Sequence, residues 1–309
     1  MTDQVDILLA TYQGALFIRQ QICSIFTQTY PHVHVWIRDD GSSDNTLQLI
    51  QHINCLYPHS ISTLPGQTNL GIKGNFSELM KHSTAPYVMF SDQDDVWLPN
   101  KIEYSLALMK KMEMDYGCQV PLLVHTDLKV VKSNLTEIHP SFWSYANLNP
   151  RLVHLNRLLP QNVLTGCTML MNRALVELAH PIPNEAIMHD WWIALVASSF
   201  GHIRHLNLPT VLYRQHGSND TGAKLHSMRE FIKRTWRPTS KKSDCLSQTY
   251  IQAQVFLERY ADHLDKKSLA LLRAYIALEQ LPYLQQKKQI LKYRFLKNGF
   301  LRNLKGLLQ

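Results

Sequence analysis

The sequence of 309 residues predicts an α/β protein: a mostly parallel sheet with helices on both faces, followed by a helical appendage. Three observations carry that expectation. Short apolar, β-rich runs alternate with stretches of helical periodicity over the first two-thirds of the chain, the pattern of βα units in a parallel sheet. Carboxylates gather where several strand-like runs stop, which is where open parallel sheets collect ligands. The charge is also divided: residues 1–223 hold 14 Lys and Arg against 18 Asp and Glu, whereas residues 224–309 hold 18 against 6.

Element by element, residues 5–11 form a nearly continuous apolar strand, and apolar side chains then recur at helical spacing over 14–28. The alternating run 33–38 stops at Asp39-Asp40-Gly41-Ser42-Ser43-Asp44 and gives way to a helix over 46–53. Turn and N-cap chemistry explains most of that loop, though not why two adjacent acids end the strand. A third strand over 61–64 leads to Asn69-Leu70-Gly71-Ile72-Lys73-Gly74. Two glycines and a lysine ahead of a helix let backbone and ammonium approach a diphosphate. Neither GxGxxG nor GxxxxGKS/T occurs, so a dinucleotide fingerprint and a P-loop are both unsupported.

Residues 86–90 read as a buried strand that stops at Ser91-Asp92-Gln93-Asp94-Asp95-Val96-Trp97, three carboxylates at one strand end. Hard oxygen ligands there suit Mg²⁺ or Mn²⁺ bridged to a substrate's phosphates. The same residues also suit a solvated turn capping the helix that starts near Leu98-Pro99. Beyond that helix, which runs to about 115, come a strand over 122–126 and an irregular aromatic segment, 140–159, expected as a loop-rich wall or lid rather than core. A strand over 163–171, a helix from Arg173, a helix opening at Met188-His189-Asp190-Trp191-Trp192 and a strand over 210–214 complete the body. Asp190 lies in a first helical turn, where the macrodipole favours an acid, so capping accounts for it as well as chemistry does. His216, beside Arg214 at a strand end, is either a turn residue or a group that reaches metal or phosphate.

Composition bounds the rest. At 45% hydrophobic and 18% charged the chain is ordinary for a globular protein. Its five cysteines are an odd number without a CxxC pair, which points to reduced thiols rather than a zinc site. No basic leader and no run of about 18 apolar residues is present, so a cytoplasmic protein without a transmembrane helix is expected.

Taken together, Leu9-Ala10-Thr11-Tyr12, Arg38-Asp39-Asp40-Gly41-Ser42, Asn69-Leu70-Gly71, Ser91-Asp92-Gln93-Asp94-Asp95-Val96-Trp97, His189-Asp190-Trp191-Trp192 and Tyr213-Arg214-Gln215-His216-Gly217 resemble the family-2 glycosyltransferases of the Rossmann-like GT-A fold. Within them the chain is most similar to the bacterial rhamnosyltransferase group. The resemblance covers residues 3–220 and implies a GT-A catalytic domain over 1–223, with 224–309 a basic helical C-terminal region. It implies inverting transfer from a nucleoside diphosphate sugar, rhamnose from dTDP-rhamnose or a hexose from a UDP-sugar. The acceptor it implies is a glycan or lipid-linked saccharide in bacterial surface polysaccharide synthesis. On the matching positions, Thr11 and Tyr12 line the nucleotide site, Asp39 contacts the base and Lys73 lies near the diphosphate. Asp92 and Asp94 match the DxD that binds a divalent Mn²⁺ or Mg²⁺, Asp190 matches the catalytic base, and His216 matches a histidine that closes over metal and diphosphate. Two departures are Lys73, where many relatives carry arginine, and His189, where an acid is commoner.

The residue types suit that chemistry, since displacement at an anomeric carbon needs a base on one face and stabilisation of a departing diphosphate on the other. Two rival classes are weaker. A haloacid-dehalogenase-type phosphatase would carry its acidic motif after the first strand rather than the fourth, and a nucleic-acid-binding protein would rest on the basic tail alone. Helices over 248–264 and 268–281 are expected to pack on protein. From Ile290 on, a helical wheel separates Tyr293, Leu296, Phe300 and Leu304 from Lys288, Lys292, Arg302 and Lys305, although Lys297 breaks the division from one side and Leu291 and Phe295 from the other. Such a helix lies on an anionic membrane surface at the inner face of the cell membrane, or packs its apolar side on protein.

Overall fold

The computed structural model describes residues 3–66, 68–216, 241–299 and 302–304. The strands are β1 (Val5–Thr11), β2 (Val33–Asp39), β3 (Ile61–Leu64), β4 (Tyr87–Ser91), β5 (Val96–Trp97), β6 (Leu122–Lys132), β7 (Glu137–His139), β8 (Leu170–Asn172) and β9 (His202–Gln215). In the first half, α1 (Ile18–Phe26), α2 (Thr46–Leu56), α3 (Gly71–His82) and α4 (Lys101–Tyr116) connect them. Later come α5 (Phe142–Tyr145), α6 (Leu155–Leu158), α7 (Arg173–Ala179), α8 (His189–Phe200), α9 (Lys241–Tyr260), α10 (Lys266–Ala277) and α11 (Tyr283–Tyr293).

The sheet order is β3-β2-β1-β4-β8-β6-β9-β5, with β7 hairpinned on β6. Strands β3, β2, β1 and β4 are parallel, as right-handed βα crossovers require. Beyond β4 the sheet is mixed: β8 enters antiparallel between β4 and β6, and β9 returns parallel to β6. The parallel expectation therefore holds for β3, β2, β1 and β4 and gives way at β8, which follows β7, α5, α6 and a 3-10 turn and runs antiparallel to both its neighbours. Strand β1 is buried on both faces. Leu8 joins a core with Phe76, Val88, Phe90 and Trp192, whereas Ile7 and Leu9 join a second core with Ile22, Ile37, Met89 and Ile102. Alternate side chains of one strand thus feed opposite layers, which explains its continuous apolar sequence.

Three expectations change. The strand over 163–171 shrinks to β8, because Gly166–Thr168 forms a 3-10 turn. Residues 140–159 are core as well as wall: Trp143, Leu155, Leu158 and Leu159 are buried. The cause is Asp127, which accepts from Ser141 Oγ (2.5 Å), Phe142 N (3.1 Å) and Trp143 N (3.2 Å) and so draws the segment onto β6. The tail is not one helix from Ile290. Helix α11 stops at Tyr293, Arg294 takes a left-handed conformation with φ 56°, and Phe295 turns into the core against Tyr275. Arg302 then donates to the carbonyls of Ala146 and Asn147. Protein packing claims this part of the expected apolar face, and residues 300, 301 and 305–309 of that wheel lie outside the described residues. The helices over 248–264 and 268–281 correspond to α9 and α10, and Phe256 and Tyr260 of α9 pack on Trp192 of α8. Residues of the segment from Tyr250 to Phe295 therefore share a continuous core with the body. The expected boundary at 223/224 and residues 217–219 of the histidine motif lie outside the described residues. No helix among the described residues is long and apolar enough to cross a membrane.

Candidate active site

The C-terminal ends of β1, β2 and β4 converge, and side-chain amides and hydroxyls tie their loops together. Thr11 Oγ1 (2.5 Å) and Tyr12 N (2.9 Å) both donate to Gln93 Oε1, and Gln93 Nε2 donates back to Tyr12 O (2.8 Å). The middle residue of the acidic motif thereby clamps the loop after β1. Gly14 packs against it: a Cβ there would lie 2.2 Å from Gln93 Oε1 and 2.8 Å from Thr11 Oγ1, so the Gln93 amide would have to shift. With its backbone held, the Tyr12 ring stays half exposed at the rim.

The two acids that end β2 have different jobs. Asp39 closes its own turn, accepting from Gly41 N (3.1 Å), Ser42 N (2.7 Å) and Ser42 Oγ (2.5 Å). Asp40 pairs with buried Arg38 at 2.6 Å and accepts from Leu70 N and Gly71 N, each at 2.8 Å. It therefore anchors the start of α3, a role absent from the sequence reading. Lys73, one turn into α3, donates to the carbonyls of Asn184 and Ala186, each at 2.6 Å. An ammonium has three donors, so one remains for an anionic ligand while two hold the loop that leads to Asp190.

The carboxylates after β4 are graded by depth. Asp94 Oδ2 lies 2.8 Å from His216 Nε2, and the Phe17 ring packs on that histidine with centroids 4.8 Å apart. Arg214 reaches across this layer, donating to Asp94 O (2.6 Å), Gln20 Oε1 (2.6 Å) and Ser133 O. Asp95 is fully buried; its Oδ1 accepts from Arg214 N (3.1 Å), and the Cys167 thiol hydrogen-bonds to its carboxyl. Burial, and then the charges of Asp94 and Asp92, raise the Asp95 carboxyl well above its ordinary range. Ligand atoms of Asp92, Asp95 and Cys167 all lie within 4.8 Å of one another. Burial keeps the Cys167 thiol protonated, pushed up further by Asp95 and Asp92, so oxygen is the available donor type. The converging carboxylates of Asp92 and Asp95 fit a hard divalent cation such as Mg²⁺ or Mn²⁺.

Beneath this layer Lys101, fully buried, donates to Cys167 O at 2.8 Å and lies 4.2 Å from the centre of the Trp97 ring. Burial lowers its pKa to about 8, while Cys167 and Asp95 act in the opposite sense. On the other side of the same turn, Gly166 N donates to Asp190 Oδ2 at 3.1 Å. Asp190 Oδ1 is buried without a partner among the described residues, and burial raises the carboxyl to about 6, opposed by backbone N–H groups that include Gly166. A carboxylate with that value and a free oxygen suits general-base work near neutral pH. His189, beside it in sequence, points into the core against Phe76 and Phe90, with centroids 4.2 and 5.0 Å away. Burial drops it to about 3, so it is a neutral packing residue.

Residues 6–178 match the family model for Glycosyl transferase family 2. The chain belongs to that family. Curated relatives of this glycosyltransferase include the dTDP-rhamnosyl transferase RfbG of Shigella flexneri. It is 29% identical over 231 residues, covering 70% of this chain and 74% of that one. Another is the UDP-Glc:alpha-D-GlcNAc-diphosphoundecaprenol beta-1,3-glucosyltransferase WfgD of Escherichia coli, 25% identical over 56% of this chain and 62% of its own length. Among solved structures, S. aureus TarS 1-349 in complex with UDP superposes with a TM-score of 0.57 at 16% identity, covering 93% of this chain and 78% of that one. That likeness supports the GT-A fold.

The structure of this family-2 enzyme brings Thr11, Tyr12, Asp92, Asp94 and His216 to one rim, while Asp190 stands across the Gly166–Thr168 turn from the acidic cluster. Gln93, Asp95, Lys101, Cys167 and Arg214 were missed as site residues. A buried Lys one turn after an acidic motif has no local signature. The same is true of a turn whose neighbours come from segments 66 and 24 residues away.

Proposed function

We propose that this family-2 glycosyltransferase transfers a sugar with inversion from a nucleoside diphosphate sugar, rhamnose from dTDP-rhamnose or a hexose from a UDP-sugar. The acceptor is a hydroxyl of a glycan or lipid-linked saccharide in bacterial surface polysaccharide synthesis. The observation that carries the reading is the pairing of sites across one turn: a carboxylate at about 6 with a free buried oxygen, Asp190, and a hard-oxygen cluster beside Cys167. Asp190 takes the proton from the acceptor hydroxyl as that oxygen bonds to the anomeric carbon. The bond to the diphosphate breaks on the opposite face, and its electron pair leaves with the diphosphate oxygen. Asp92 and Asp94, with His216 against Asp94, would hold a Mn²⁺ or Mg²⁺, and such an ion would supply neutralisation of charge on the departing group. Thr11, Tyr12 and Asp39 line the nucleotide side, and Lys73 offers its remaining N–H to the diphosphate. The relatives' printed activities, dTDP-rhamnosyl and UDP-glucosyl transfer, support the donor class.

The enzyme works in the cytoplasm at the inner membrane face. Leu284 (78% exposed) and Leu291 (55%) flank Lys288 on the outer side of α11, an apolar and basic face suited to anionic lipid. The test of donor class is a panel of dTDP-rhamnose, UDP-glucose, UDP-galactose and UDP-N-acetylglucosamine, read as thermal protection with Mn²⁺ and as nucleotide release with cell-envelope acceptor. One donor giving both signals supports the proposal. Protection by none, or protection indifferent to chelator, overturns the metal-assisted reading.

A further inference from the structure

Lys101 is an ammonium without solvent access behind the acidic cluster. A buried charge is retained only where its partners compensate for desolvation. The partners of Lys101 are the Trp97 ring face, the carbonyl of Cys167 and the nearby Asp95. Cys167 belongs to the short 3-10 turn Gly166–Thr168, which is closed by Thr168 N to Thr165 O (2.9 Å) and Met169 N to Gly166 O (3.0 Å). Consecutive residues of this turn face two different sites. The Gly166 amide donates to Asp190, and the Cys167 side chain abuts Asp92 and Asp95. The turn is pressed against α8 so closely that a Cβ on Gly166 would lie 2.5 Å from His189 Nε2. The Lys101 ammonium donates to the central residue of this turn from the α4 side.

We propose that Lys101 is a positioning residue for transfer: by holding the Cys167 carbonyl it fixes the Gly166–Thr168 turn, and through that turn it keeps the Asp190 carboxylate in register with the acidic cluster. The inference rests on Asp190 being the base only for its kinetic consequence; the mechanical part stands on the hydrogen bonds alone. Losing the ammonium leaves the Cys167 carbonyl without its donor and frees the turn. The Gly166 amide then supports the charged form of Asp190 less well, and the carboxylate becomes harder to ionise.

The experiment compares native enzyme, Lys101→Met and Asp190→Asn. Amide hydrogen exchange of the peptide covering 163–169 is expected to rise about tenfold or more in Lys101→Met, with β4 still protected. With the donor from the panel that the native enzyme turns over, the acidic limb of kcat is expected to move up by about half a pH unit or more in Lys101→Met. Donor protection with Mn²⁺ stays near native. Unchanged exchange in 163–169, or a limb that stays at the native position while the rate falls uniformly, overturns the positioning role. If the limb persists in Asp190→Asn, the assignment of the base fails instead, and the exchange result alone decides on Lys101. Should Lys101→Met not fold, Lys101→Gln, which lacks both the charge and the reach, carries the same two measurements.

Discussion

Replacing Asp190 by Asn separates chemistry from stability. The carboxamide keeps the shape and an oxygen for the Gly166 amide, 3.1 Å away in the native enzyme, but it cannot take a proton. Transfer should fall about 10²–10⁴-fold, the usual contribution of a general base, with donor protection retained. Stability should move the other way. Burial raises the folded carboxyl from 3.8 to about 6, so the folded state holds its proton more tightly than the unfolded chain does. The associated stability is fully present below pH 3.8 and lost as pH rises to about 6. At 1.36 kcal/mol per pH unit the complete effect is about 3 kcal/mol. Asp190 keeps some accessible surface, so about 2 kcal/mol is the expected size. Asp190→Asn should therefore match native stability near pH 3.5 and exceed it by about 2 kcal/mol at pH 7.5, read by urea unfolding at both pH values. In the native enzyme kcat should rise through pH 6 as the base ionises. A stability difference independent of pH, or loss of donor protection with normal residual turnover, would refute the reasoning.

Asp94→Ala should leave the fold intact, lower turnover at least about a hundredfold and abolish the Mn²⁺ dependence of donor protection, measured by thermal shift with and without chelator. Asp40→Ala should destabilise the protein by about 3–5 kcal/mol, because it strands buried Arg38 and uncaps α3; a urea midpoint close to native would contradict that account. Gln93→Ala should weaken nucleotide protection about tenfold or more while sparing the global fold, since it removes three bonds that hold Thr11 and Tyr12. Leu284→Glu combined with Leu291→Glu should reduce co-sedimentation with anionic vesicles without altering the unfolding temperature. Unchanged sedimentation removes the membrane-facing role of α11.

The sequence announced the parallel half of the sheet well, because each of its strands and helices is a local pattern. Residues 5–11, 61–64 and the helix opening at Met188-His189 fall where periodicity placed them. What it could not show arises from pairing between distant segments. Strand β8 was overestimated because the apolar run 163–171 suits either strand or core turn, and in the fold Thr168 N to Thr165 O and Met169 N to Gly166 O close a turn there. The tail misled for a related reason: a wheel assumes one unbroken axis, and Arg294 breaks it so that Phe295 can enter the core. At the site, residue types identified the carboxylates, but their division of labour depends on depth. Asp39 and Asp40 are neighbours in sequence, yet one closes a turn and the other neutralises Arg38.

The Gln93 clamp also makes two distant segments one mechanical unit. A designer who replaces the Thr11–Tyr12 loop alone would leave Gln93 facing a foreign backbone, and any side chain at Gly14 would strike it. The transplantable module is discontinuous: residues 11–14 together with 91–95, moved as a pair. Chimeras cut within that pair should lose the clamp on the loop after β1, whereas chimeras that carry both segments should keep it.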